Sequence, residues 1–175
     1  QSAPFYAIPQ HTAPTYPAPP LRAPVHLDLR FFVMHALGEI YQSALEDASS
    51  WSSLEFIASQ LNSDAGVCLA KINNYIVAFK KYSTEFFYDA ANPTGSILSP
   101  VQNAAFHIGC AHADSVQDMV GTLVWMGQSR NGFGRTVYVL QGVTPTPISD
   151  GQIDKILDSD SLATVYSWSA KVGAH

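Results

Sequence analysis

The stretch DAGVCLAKINNYIVAFKKYSTEFFYDA, residues 64–90, decides how the chain is read. Cys68, Ile72, Tyr75, Ile76, Phe79, Tyr82, Phe86 and Phe87 recur at three- and four-residue steps, the spacing that lines one face of a helix. Lys71, Asn74, Lys81 and Glu85 fall largely on the other faces. The spacing predicts one helix of roughly 25 residues, about 40 Å long at a rise of about 1.5 Å per residue. A helix of that length makes a spine on which shorter helices pack.

Toward the N-terminus, Leu29, Val33, Ala36, Leu37, Ile40 and Ala44 form a second apolar stripe and predict a helix over 27–47. Ser52 and Glu55 have the spacing of a capping box, with Trp51 and Phe56 placed as a hydrophobic staple. They predict a helix ending near Leu61. Toward the C-terminus, Asn92-Pro93-Thr94-Gly95 is a strong break. Helices are expected from Ser99-Pro100 to Gly109, from Asp114 or Ser115 to Gly127, from Ser149 through Leu157, and from Ser161 to Lys171. Thr136–Val143 is β-prone and has no evident strand partner. The expected fold is therefore all-α: six or seven helices bundled around 64–90, with one short β segment near 136–143.

Residues 1–25 are a separate compositional block. Seven of the eleven prolines fall here, at 4, 9, 14, 17, 19, 20 and 24, and Arg22 is the only charge. Proline lacks a backbone donor and fixes φ, so the block favours an extended arm of polyproline II type. Phe5, Tyr6, Ile8 and Tyr16 distinguish it from a solvated tail and, with Arg22, are the candidate partner-binding residues. The expected division is an arm, 1–25, and a single domain, 26–175.

Charged residues make up 13% of the 175, about half the usual share, which points to surface hidden against partners. The net charge is −5 with Lys and Arg scattered. Nucleic acid is therefore disfavoured and retained only for the case of a genome-enclosing coat. No run of 18 apolar residues occurs, so no membrane-spanning helix is expected. The chain starts at Gln1, which fits a removed leader or a trimmed terminus.

Chemical motifs are weak. His107, Cys110, His112 and Asp114 are all metal-ligand types, but their spacing matches no zinc pattern, and no metal or cofactor is expected. Cys68 near a helix start, with His107 and Asp114 downstream, is the candidate set for a cysteine hydrolase. Its apolar neighbours favour a core thiol instead. Arg130 and Arg135 flank a glycine-containing loop suited to an anion or to a partner's acid. Asp158 and Asp160 imitate part of a calcium loop but read better as a helix stop. The first functional expectation is a non-enzymatic, self-assembling structural subunit of a filament, appendage or coat, at a particle or cell surface or extracellular. Its arm would dock on a neighbouring copy. A small secreted hydrolase and a helical effector or adaptor acting through the arm are the alternatives.

Overall fold

The computed structural model describes residue 21 and residues 24–59, 61–131 and 134–170. Residues 64–90 are three antiparallel strands and two turns, not a helix: β5 (Gly66–Ile72), β6 (Tyr75–Lys80) and β7 (Thr84–Asp89). β8 (Leu98–Phe106) completes a four-stranded meander in the order β5-β6-β7-β8. Register explains the composition. Leu69, Ile76, Ala78 and Phe87 share one face, and Cys68, Val77, Phe79 and Phe86 the other. Both faces are buried, so Tyr75-Ile76-Val77-Ala78-Phe79 runs apolar without the alternation that marks a half-exposed strand. Apolar residues at nearly every position also satisfy three- and four-residue spacing.

The same meander occurs before and after this sheet. The first sheet holds β1 (Val25–Leu27), β2 (Arg30–Met34), β3 (Glu39–Ala44) and β4 (Asp47–Ala58) in sequence order. In the third, β9 (Gly109–Cys110) and β10 (Gln117–Asp118) both pair with β11 (Leu123–Gln128). β12 (Arg135–Gln141) and β13 (Thr144–Pro147) follow. All recorded pairings are antiparallel.

The all-α expectation is thereby corrected. The helices predicted over 27–47, 52–61, 64–90, 99–109 and 114–127 are strands, turns and a short 3-10 turn at Ala113–Ser115. The Ser52/Glu55 spacing and the Ser99-Pro100 start lie within β4 and β8 and cap nothing. Pro100 fits because β8 is the outermost strand of its sheet, where a missing donor is tolerated. The β segment near 136–143 is β12, with β11 and β13 as its partners. Among the described residues the one α-helix is α1 (Gly151–Ser159). Its cap is Asp150, which accepts from the backbone N–H of Gln152 and Ile153. The helix expected over 161–171 reduces to a 3-10 turn at Leu162–Thr164.

The second sheet lies between the other two. Leu27, Phe32, Met34 and Ile40 of the first sheet pack on its Leu69, Ile76, Phe87 and Leu98. Leu123, Trp125 and Leu140 of the third pack on its Val77, Phe79 and Phe86. Trp125 is the largest of these side chains, with Phe79 at 5.1 Å and Tyr138 at 5.8 Å between ring centroids. The far side of the third sheet is crossed by the C-terminal segment. Arg135 Nη1 donates to the carbonyls of Leu157 (2.6 Å) and Asp160 (2.8 Å), and Gln117 Nε2 donates to that of Ser167 (2.7 Å).

The meander topology sorts the loops between two ends. The turns at 35–38, 61–65, 81–83, 107–108 and 129–131 lie at one end. Those at 28–29, 45–46, 73–74, 90–97, 119–122 and 142–143 lie at the other. The arm anchors Phe5, Tyr6, Ile8, Tyr16 and Arg22 lie outside the described residues.

Candidate functional site

The first group of loops carries the buried charges found among the described residues, Asp64, Lys80 and Glu85. β6 places Lys80 on the face directed to the first sheet, and β7 places Glu85 on that same face. Lys80 is 2% exposed. Its stem passes Gly38 of the 35–38 turn, where φ is +86° and an added Cβ would meet Lys80 Cδ at 3.3 Å. Lys80 Nζ lies 3.3 Å from Asp64 Oδ1 and 4.0 Å from Glu85 Oε1, and donates to the Asn62 carbonyl. Asp64 also accepts from the Tyr82 N–H (2.5 Å) and from Ser83 Oγ (2.9 Å). Glu85 accepts from the Leu61 N–H (3.0 Å) and from Ser59 Oγ. The connection between the first two sheets is thus tied to the second sheet through buried, hydrogen-bonded charge.

Outside this network lies a cleft of about 510 Å³ lined by Asn62, Tyr82, His107, Ser129, Arg130 and Asn131. Lys81 Nζ and Arg130 Cζ stand 5.2 and 5.5 Å from the centre of the Tyr82 ring, within cation–π range. Asn62 Nδ2 and His107 Nδ1 are 3.2 Å apart. Gln128 Nε2 donates to the Lys81 carbonyl (3.0 Å), tying the second sheet to the third beneath the cleft. Among the described residues the lining offers amide, hydroxyl, imidazole and guanidinium donors and no carboxylate.

The residues considered for catalysis are not assembled there. Cys68 is wholly buried in the core between the second and third sheets, as is Cys110. Burial in an apolar core keeps a thiol out of a substrate's reach. His107 is exposed in the cleft. Asp114 sits in the 3-10 turn, with His112 Nδ1 accepting from its backbone N–H (3.2 Å). Among the described residues no three His, Cys, Asp or Glu side chains are grouped to hold a metal ion. Arg135 serves as the clamp on α1, and Asp158 Oδ1 accepts from its backbone N–H (2.6 Å). Asp160 closes α1 as its C-cap. The sequence reading singled out His107 and Arg130 but missed Tyr82 and Asn62. It took Tyr82 for a core aromatic, and the adjacent Lys80-Lys81 pair was the available signal.

Successive four-stranded antiparallel sheets packed face to face are the repeating unit of a β-propeller. No curated protein matches the chain in sequence. No helix among the described residues is long and apolar enough to cross a membrane. Residues 11–172 match the family described as "Bacteriophage P22 Gp10, beta-propeller"; the chain belongs to that family and is a structural component of a phage particle, not an enzyme.

Proposed function

We propose that the chain is a self-assembling subunit of its particle, with an arm (1–25) that docks on a neighbouring copy and a body (26–175) that carries the propeller blades. The observation that carries this reading is the position of the arm's base. The Leu21 N–H donates to the Met34 carbonyl (3.1 Å), and Leu21 packs against the core between the first two blades. Leu21 also lies 3.0 Å from a Cβ built on Gly66. Leu21 therefore sits at the same end of the molecule as the cleft. An arm of 25 residues in polyproline II reaches at most roughly 75–80 Å, enough to cross a neighbour. Phe5, Tyr6, Ile8 and Tyr16 are the anchors, with Arg22 at the root of the arm.

Deleting residues 1–20 tests the reading. The expected product keeps its β-sheet circular dichroism and cooperative unfolding but loses its assembled mass in light scattering. Unchanged assembly of the truncated chain refutes the role given to the arm.

A further inference from the structure

The cleft and the opposite end of the first blade are chemically complementary. The chain has nine Lys and Arg against fourteen Asp and Glu, so two cations gathered on one aromatic ring stand out. Lys80 is neutralised by Asp64 and Glu85, Arg135 holds two carbonyls of the C-terminal segment, and Arg30 Nη1 donates to the Ser43 carbonyl (2.8 Å). Lys81 and Arg130 are exposed, flank the same ring, and form no ion pair among the described residues. Arg130 lines a donor-rich recess with His107, Asn62 and Asn131, suited to a carboxylate, and Lys81 stands at the Tyr82 ring of the same recess.

At the other end, the turns 28–29 and 45–46 of the first blade lie side by side, joined by the Glu46 N–H donating to the Leu29 carbonyl (2.9 Å). They expose Asp28 and Glu46, and beside them Leu29 (52% exposed) and Leu45 (56%). Asp28, Leu29 and Glu46 have φ of 46°, 62° and 56°, the left-handed conformation that lets these turns reverse the chain tightly. Exposed leucines rimmed by carboxylates have the make-up of a docking surface: an apolar centre with a charged rim.

We propose that the Tyr82–Arg130 cleft receives the Asp28/Glu46 tip of a second copy, giving a head-to-tail contact. Donor and acceptor surfaces lie at opposite ends of one molecule, so the contact is heterologous. Each copy keeps one unused cleft and one unused tip, and the contact repeats into a ring or an open stack. The inference rests on the self-assembly reading and names the surface it uses.

Sedimentation velocity of the full chain in about 0.01 M and about 1 M salt, where the Debye length falls from roughly 30 Å to roughly 3 Å, reads the contact. Association is expected to weaken strongly at high salt. Lys81→Glu with Arg130→Glu, and separately Asp28→Lys with Glu46→Lys, should each lower the association constant at least about tenfold. All four positions are exposed, and an unchanged unfolding midpoint shows that the variants remain folded. Mixing the two double variants should restore association, because each then meets opposite charge. Wild-type-like association of both variants, or mixing without rescue, overturns the cleft assignment. In that case, assembly that still depends on residues 1–20 leaves the self-assembly reading standing. A monomeric wild type at low salt overturns both. Capture of a single-stranded oligonucleotide by the cleft, lost in Arg130→Glu and without self-association, also overturns the proposal.

Discussion

Replacing Lys80 with Met removes one buried charge and keeps most of the stem. In the native protein the ammonium faces Asp64 at 3.3 Å and Glu85 at 4.0 Å, at 2% exposure. At an effective dielectric constant of about 20, each attraction is on the order of 4–5 kcal/mol before desolvation is subtracted. Removing the cation also leaves two carboxylates facing each other away from water. Their remaining hydrogen bonds, from Tyr82, Ser83, Leu61 and Ser59, persist, so both groups stay seated but uncompensated. Breaking a buried pair in this way costs about 3–5 kcal/mol, a large part of a total stability of about 5–15 kcal/mol. In urea, with a slope of about 2 kcal/mol/M, the unfolding midpoint should fall by about 2 M while the slope is unchanged. Lys81→Met, at an exposed neighbour, should stay within about 0.5 kcal/mol of wild type. The triple replacement Lys80→Met/Asp64→Asn/Glu85→Gln should recover at least half of the loss, because the uncompensated charge goes with it. A midpoint shift under about 0.5 M for Lys80→Met refutes the claim that this network secures the first blade's connection to the second.

Three further outcomes follow from particular contacts. Gly109→Ala puts a Cβ against the Lys80 and Lys81 backbone, which cannot give way; destabilisation of at least about 2 kcal/mol is expected by urea titration. Arg135→Ala removes the donor to the Leu157 and Asp160 carbonyls. Trypsin should then cut at Lys155 several-fold faster, with the sheets still protected against hydrogen exchange. Burial, reinforced by the Asp154 charge, raises the Tyr138 phenol above its ordinary 10.0. A raised phenol means that the folded state holds its proton longer. The stabilisation is full below about pH 10 and is lost as pH rises through the folded value; in an alkaline unfolding series Tyr138→Phe should flatten that loss.

The sequence made some elements legible because one local signal dominated there. Val137, Tyr138, Val139 and Leu140 mark β12 by composition, and α1 was expected from Ser149 and is capped one residue later by Asp150, followed by Ile153, Ile156 and Leu157. Asn92-Pro93-Thr94-Gly95 does fall in the loop between β7 and β8, where Asn92 Nδ2 donates to the carbonyls of Ser96 (3.1 Å) and Leu98 (3.2 Å). The middle sheet was illegible for a physical reason. Burial on both faces erases the two-residue alternation, and the resulting apolar run satisfies helical spacing equally well. Its first turn was hidden too, because Asn73-Asn74 carries neither glycine nor proline. Asn73 supplies the left-handed conformation itself, with φ of 50°. Similar turns at Asp28-Leu29 and at Glu46 sit inside what reads as one helix. The cleft was half legible: His107 and Arg130 are visible as chemistry-bearing residues, but only the sheet topology brings 62, 82, 107 and 129–131 to one end.

The most direct test of the account is the mass of the intact chain in solution, by light scattering coupled to size-exclusion chromatography at low salt. The account predicts a species several times 19.0 kDa whose mass rises with concentration and falls when residues 1–20 are removed. A single species of 19.0 kDa at every concentration contradicts it.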